Sequence, residues 1–189
     1  MIRAVIFDIG GVLEDTTPTG HTERWEATLG LAPGQLDRTM LDMWQAGRIG
    51  KVSEAEVHAA LAERLRLSPE QVDDFMAGWW EEYLGTLNGE LTEYFASLRP
   101  GYRTGILSNS FVGAREREQQ RYGFEDLTDV IVYSHETGVA KPDPAACLLA
   151  CERLGVAPEE AVFLDDREGA VAAARAVGMA AVLFRDNAQ

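Results

Sequence analysis

Cysteine is scarce in this chain, with two in 189 residues, Cys147 and Cys151. Four apart on what reads as a helix, they share one face. A metal pair would need more ligands than that neighbourhood supplies. They read as two small buried thiols, which suits a reducing cytosol. Basic residues are also outnumbered: seventeen Lys and Arg against thirty-one Asp and Glu give a formal charge of −14. Nucleic acid and anionic membrane both need a basic face, so neither is expected as a partner. No apolar run is long enough to cross a bilayer. Met1-Ile2-Arg3 leads into a short run that Asp8 breaks, which fits neither a secretory leader nor a span. A cytoplasmic location is therefore expected. Internal repeats and low-complexity segments are absent. What remains is the balance of a globular protein, 46% apolar and 25% charged. The length allows one domain with a substantial core, or a core with a modest insertion.

Ala4-Val5-Ile6-Phe7 is continuously apolar and β-prone, and stops at Asp8 before Gly10 and Gly11. Such a run reads as a strand buried on both faces of a parallel sheet. Gly105 to Leu107 ends at Ser108-Asn109-Ser110, Val130 to Tyr133 at Ser134-His135-Glu136, and Ala161 to Leu164 at Asp165-Asp166. Ala181 to Phe184 would be a further strand. Between them, Pro142 to Leu154 reads as a helix with Gly155 at its stop, and Glu168 to Val177 as an Ala-rich one ended by Gly178. Phe111 to Tyr122 reads as a charged, solvent-facing helix. Alternating strands and helices imply a doubly wound α/β domain.

Residues 15 to 95 contain no β-run. Ser53-Glu54-Ala55-Glu56 and Ser68-Pro69-Glu70-Gln71 are capping boxes. Leu36, Met40, Met43 and Trp44 fall at helical spacing, as do Val72, Phe75, Met76 and Trp79, stripes that read as core. A helical insertion thus separates the first strand from the rest of the sheet. Its tryptophans, Trp25, Trp44, Trp79 and Trp80, are expected to pack helix against helix.

In an open parallel sheet, ligands bind outside the carboxyl ends of the strands. Asp8, Ser108 with Asn109, and Asp165 with Asp166 would stand there, and Lys141 lies in a loop free to reach in. Singly, these residues can be turn residues, an N-cap pair or a solvated lysine. Their recurrence at successive strand ends favours chemistry. Carboxylates are hard ligands for magnesium, which keeps waters and substrate oxygens as well. A hydroxyl and backbone amides would cradle a phosphate, Lys141 would offset its charge, and a carboxylate can attack phosphorus.

Phe7-Asp8-Ile9-Gly10-Gly11-Val12-Leu13, Ile106-Leu107-Ser108-Asn109, Gly138-Val139-Ala140-Lys141-Pro142-Asp143-Pro144 and Phe163-Leu164-Asp165-Asp166 resemble, in order and spacing, the four motifs of the haloacid dehalogenase (HAD) superfamily. The resemblance spans essentially the whole chain. It implies a Rossmann-like core over 1–14 and 96–189, with the α-helical C1 cap over 15–95. It also implies Asp8 as nucleophile, and Ser108, Asn109 and Lys141 at the phosphoryl group. Magnesium would be held by Asp8 and Asp166 with the Gly10 carbonyl, and Asp165 would be a ligand or a support. The activity implied is a magnesium-dependent phosphatase of a small phosphorylated metabolite, such as a sugar phosphate.

The resemblance departs at one position. Family phosphatases usually carry a second aspartate two residues after the nucleophile, which protonates the leaving oxygen and later activates water. Gly10 stands there, as it does in some HAD sugar phosphatases, and loss of a general acid–base typically costs about 10²–10⁴ in rate. A smaller departure is Ala170, where relatives often have Asn. An easy leaving group with a bound water would answer the first departure. Glu14, Asp15, His21 and Glu136 are candidate substitutes. Two alternatives stand beside the phosphatase. One is a haloacid dehalogenase, although such members tend to have Tyr at position 10 and no metal. The other is a catalytically impaired phosphate- or partner-binding protein.

Overall fold

The computed structural model describes residues 1–189. β1 (Ala4–Phe7) is followed by β2 (Glu14–Asp15) and four helices, α1 (His21–Leu29), α2 (Gln35–Arg48), α3 (Glu54–Leu65) and α4 (Pro69–Leu84). Then come β3 (Thr86–Leu87) and α5 (Gly89–Ser97). The rest alternates: β4 (Arg103–Ser108), α6 (Ala114–Tyr122), α7 (Phe124–Leu127), β5 (Val130–Tyr133), α8 (Ser134–Thr137), α9 (Pro144–Leu154), β6 (Ala161–Asp165), α10 (Glu168–Ala176) and β7 (Ala180–Leu183).

Buried at all four positions, β1 takes the centre of a five-stranded sheet of order β5-β4-β1-β6-β7. Every pairing in it is parallel. Successive side chains of a strand face opposite ways. Ala4 and Ile6 accordingly join Cys147 and Cys151 of α9 and Ala174 of α10, while Val5 and Phe7 join Phe95 of α5 and Phe124 of α7. The Phe7 and Phe95 rings stack with centroids 4.7 Å apart. With helices on both faces, this is the expected doubly wound α/β core. Both cysteines are free and buried. No helix is long and apolar enough to cross a membrane.

Helices α1 to α4 gather their apolar faces into a second cluster around Leu36, Met40, Leu61 and Phe75. Ser53 and Ser68 form the capping boxes that start α3 and α4. The insertion is seated on the sheet domain through the end of α2. Ser134 Oγ donates to the Arg48 carbonyl at 2.7 Å. A Cβ on Gly47 would lie 2.3 Å from the Phe111 ring, and one on Gly50, where φ is +66°, 1.8 Å from the His135 carbonyl oxygen. Only glycine permits so close an approach.

Several sequence expectations change. The insertion is bounded by strand: β2 and β3 pair antiparallel, Glu14 with Leu87 and Asp15 with Thr86. Two residues are too few to show an alternation. Most of helix α5 falls inside the 15–95 range expected for the cap, yet its Leu91 and Phe95 pack on the sheet. The helix expected over 111–122 starts at Ala114, and one charged residue on it, Glu118, is fully buried. The helix after Lys141 starts at Pro144 rather than Pro142, because the Asp143 side chain caps it, accepting from the Ala145 amide at 2.9 Å.

Candidate active site

Asp8 leaves β1 with its amide still in the ladder, donating to the Leu164 carbonyl at 2.9 Å. Its Oδ1 accepts from the Ile9 amide at 2.8 Å and faces Lys141 Nζ at 2.7 Å. Oδ2 has no partner in the chain, and Asp8 lines a cavity of about 560 Å³. Burial pushes the Asp8 carboxyl up, Lys141 opposes this and Asp165 adds to it, leaving it at about 6. Lys141 is itself buried, with Nζ also 2.6 Å from Asp165 Oδ2. Its loop is clamped by Asn109, which donates Nδ2 to the Lys141 carbonyl and accepts the Lys141 amide, both at 2.8 Å. Both polar atoms of that side chain are thus engaged, and what Asn109 has left for a phosphate is its backbone.

Asp165 is saturated in the same way, since its Oδ1 accepts from the Arg167 amide at 2.8 Å. Asp166 is the exposed member of the pair and lies over Gly11, where a Cβ would stand 2.5 Å from Asp166 Oδ2. Carboxylate oxygens of Asp8, Asp165 and Asp166 lie within 4.8 Å of one another. Three acids converge there as hard oxygen donors, two of them paired with Lys141. That donor set suits magnesium. Ser108, the last residue of β4, is buried and lines a side chamber of about 270 Å³ with Gly10 and Asn109.

The insertion supplies the remaining wall: Trp44, Arg48, Trp79 and Tyr83 all line the Asp8 cavity. Trp44 and Trp79 stack with centroids 5.6 Å apart. Trp25 and Trp80 do not line that cavity: Trp25 packs on Phe75, and Trp80 donates Nε1 to Glu54 at 3.0 Å; helical spacing does not distinguish the two pairs. A larger cavity of about 720 Å³, lined by Phe7, Tyr94 and Phe184, contains none of the strand-end acids.

None of the candidate substitutes for an acid at position 10 lines the Asp8 cavity. Asp15 Oδ1 accepts from Thr17, and His21 packs on Phe75 with centroids 5.1 Å apart. Glu136 is paired with Arg115 at 2.9 Å. Glu14 is buried, and burial with the Glu118 charge pushes its carboxyl up to about 10.

Glu118 had no sequence signal. Its Oε2 accepts the Tyr133 hydroxyl, and burial is the main force raising its carboxyl from the ordinary 4.5 to about 7. A folded value above the unfolded one favours the fold while the group is protonated. That contribution is complete below about pH 4.5 and is lost as pH rises through about 7. Glu118→Gln keeps an acceptor for Tyr133 and does not titrate. From about pH 5 to about 8 the wild-type melting temperature should fall relative to that variant. Parallel curves would refute the assignment.

An open parallel sheet with acids and a lysine at its central strand ends, walled by a helical insertion, is the layout of an α/β enzyme. The chain belongs to the haloacid dehalogenase-like hydrolase family, whose model matches residues 2–178. It is similar to N-acetylmuramic acid 6-phosphate phosphatase of Pseudomonas aeruginosa, 29% identical over 87% of this chain and 74% of the relative. A phosphorylated carbohydrates phosphatase of Thermotoga maritima is 30% identical over 94% of this chain and 82% of its own. The solved structure of a HAD family enzyme from Bacteroides thetaiotaomicron, in complex with magnesium and inorganic phosphate, shares the fold. It has a TM-score of 0.83 at 21% identity and covers 99% of this chain and 96% of that one.

Proposed function

We propose that the protein is a cytoplasmic, magnesium-dependent phosphatase of a small phosphorylated metabolite, a sugar phosphate by preference, with Asp8 as nucleophile. The observation that carries the reading is the asymmetry of Asp8. Oδ1 is held by Ile9 and Lys141, while Oδ2 has no protein partner on a residue that lines the cavity. Both relatives are phosphatases, one of them of phosphorylated carbohydrates. The helical insertion is read as the cap over the substrate, and we draw its border at the β2–β3 pair rather than at residue 95.

Oδ2 attacks phosphorus and the ester P–O bond breaks, leaving the phosphoryl group on Asp8. Water then cleaves the aspartyl-phosphate and returns the carboxylate. Lys141 Nζ and the Ser108 hydroxyl meet the phosphoryl oxygens, with the backbone amide of Asn109 beside them. Asp165 positions Lys141. Magnesium, held by Asp8, Asp166 and the Gly10 carbonyl, would screen the repulsion between carboxylate and phosphate. With glycine at position 10, water protonates the leaving oxygen. A dehalogenase would leave the cluster of three acids without a purpose, and is the less well supported reading.

The test is phosphate release from a panel of small phosphomonoesters, with magnesium and with EDTA. Release with magnesium and none with EDTA is the expected result. Turnover of a 2-haloacid in EDTA would establish the carbon-attacking alternative, and silence across both assays a binding role.

A further inference from the structure

Three hydroxyls line the Asp8 cavity, those of Thr16, Tyr83 and Ser110, and only Ser110 is hydrogen-bonded to a basic nitrogen. The register of β4 and β5 makes that pair. Ser108 lies opposite Tyr133, so Ser110 and His135 leave the two strand ends at the same level. Their backbones are clamped there, since the Ser110 amide donates to Ser134 Oγ at 2.9 Å. Ser110 Oγ stands 2.6 Å from His135 Nδ1, and its one other hydrogen bond in the chain is a long one from the His135 amide at 3.4 Å. A hydroxyl that donates to the ring and accepts one amide keeps a lone pair for a molecule in the cavity. Around the ring, Tyr133 lies at a centroid distance of 5.5 Å, Arg115 and Glu116 come from α6, and Glu136 follows in α8. Arg115 holds Glu136 through two nitrogens, and no carboxylate binds the ring. Burial is the main force on the imidazole and pushes it below its ordinary 6.5.

We propose that Ser110 and His135 form a proton relay for the second half of the reaction, in which Ser110 Oγ takes a proton from the water that cleaves the aspartyl-phosphate and passes its own to His135 Nδ1. The inference rests on the phosphatase reading and deepens it. With glycine at position 10 the chain lacks the usual base, and water that attacks phosphorus has a proton to lose. Asp8 is the leaving group of this step, Asp166 is assigned to magnesium, and Lys141 is a cation paired with Asp8 and Asp165. A neutral imidazole behind a hydroxyl of the cavity wall is the free base that remains, and the lowered affinity of His135 for a proton keeps it in that form at pH 7. The water oxygen bonds to phosphorus as the bond from phosphorus to Asp8 Oδ2 breaks. Its proton moves to Ser110 Oγ and the Ser110 proton to Nδ1. The imidazolium is then discharged by the hydroxide formed when water protonated the leaving oxygen, so protons and charge balance over the two halves.

The test isolates the second half with p-nitrophenyl phosphate, whose leaving group needs no proton. Wild type, Ser110→Ala, Ser110→Thr and His135→Asn are mixed with it in magnesium and quenched with acid. Early p-nitrophenolate reports phosphorylation, and the intact mass follows the phosphoenzyme as it decays. Ser110→Ala and His135→Asn should release about one p-nitrophenolate per enzyme in a burst at the wild-type rate, and their phosphoenzyme should then decay about 10²–10⁴-fold more slowly. Asparagine still accepts a hydrogen bond from Ser110 but takes up no proton. Ser110→Thr keeps the hydroxyl and should decay as wild type does. The pH profile is a readout that a merely structural pair would not move. Asp8 is esterified in the phosphoenzyme and does not titrate there. Wild-type decay should therefore slow as pH falls through a value below 6.5, and decay of His135→Asn should be flat over that range. Decay of Ser110→Ala at the wild-type rate, or a wild-type pH dependence that persists in His135→Asn, overturns the proposal. If His135→Asn does not fold, Ser110→Ala and the wild-type profile decide. Failure of the phosphatase reading is a different result: wild type with magnesium releases neither p-nitrophenolate nor phosphate, and the relay falls with it.

Discussion

Asp8→Asn is expected to fold as the wild type does, to melt no lower at pH 7, and to lose phosphate release by about 10⁴-fold or more. The activity loss follows from the atom removed, since an amide nitrogen or oxygen in place of Oδ2 does not attack phosphorus. The stability expectation is less obvious, because Asp8 is buried in an ion pair with Lys141. Burial nevertheless outweighs that pairing, and the Asp8 carboxyl is raised from 3.8 to about 6. With a folded value above the unfolded one, the fold prefers the protonated group. Its stabilising contribution is complete below about pH 3.8 and lost as pH rises through about 6, so at pH 7 the ionised form is a net burden. Asparagine is a permanent stand-in for the protonated acid, and Lys141 keeps Asp165 at 2.6 Å. Thermal melts and phosphate release on the same preparations check both halves. Retained turnover at an unchanged melting temperature would remove Asp8 from the role of nucleophile. A collapse in melting temperature would show that the ion pair holds the strand end together.

The strand ends were legible because each is marked locally. An apolar run stopping at Asp8, at Ser108 or at Asp165 needs only its own neighbours to be read, and the parallel sheet brings these positions together. Lys141 followed from its motif. What was not legible depends on partners far away in the chain. Arg48 and Trp44 sit on a helix whose apolar stripe predicts core, and nothing in that stripe tells which residue at its edge turns to the cavity. The side chain of Asn109 holds the Lys141 loop across 32 residues, a pairing that no local pattern marks. Ser110 Oγ lies 2.6 Å from His135 Nδ1 beside the cavity, a pairing set by the β4–β5 register. Glu118 looked like one charge among many on α6, since only the packed position of Tyr133 explains its burial. Helix α5 shows the same limit, since its Leu91 and Phe95 pack on the sheet. Leu91 and Phe95 carry a clear helical spacing, but spacing names an element and not the layer it joins.

Gly10→Asp should raise turnover, which is unusual for a substitution in a catalytic loop. Position 10 lines the Asp8 cavity, and a Cβ built there meets nothing nearer than the Thr16 side chain at 3.9 Å. Its φ is not in the left-handed region, in contrast to Gly11 at +79°. The Cβ of an aspartate therefore meets no clash and no backbone strain, and no other acid considered for the task lines that cavity. If proton delivery to the leaving oxygen is what glycine omits, the gain depends on the leaving group. An alkoxide from a sugar or glycerol phosphate needs the proton in the transition state, and its kcat should rise by up to about 10²–10⁴. p-Nitrophenolate departs without help, so turnover of p-nitrophenyl phosphate should change little. The ratio of the two kcat values is the measurement, because altered folding or metal affinity would move both together. An equal rise for both substrates would mean that position 10 limits some other step. No rise for either would mean that ordered water already performs the proton transfer, and that glycine at this position carries no catalytic penalty in this active site.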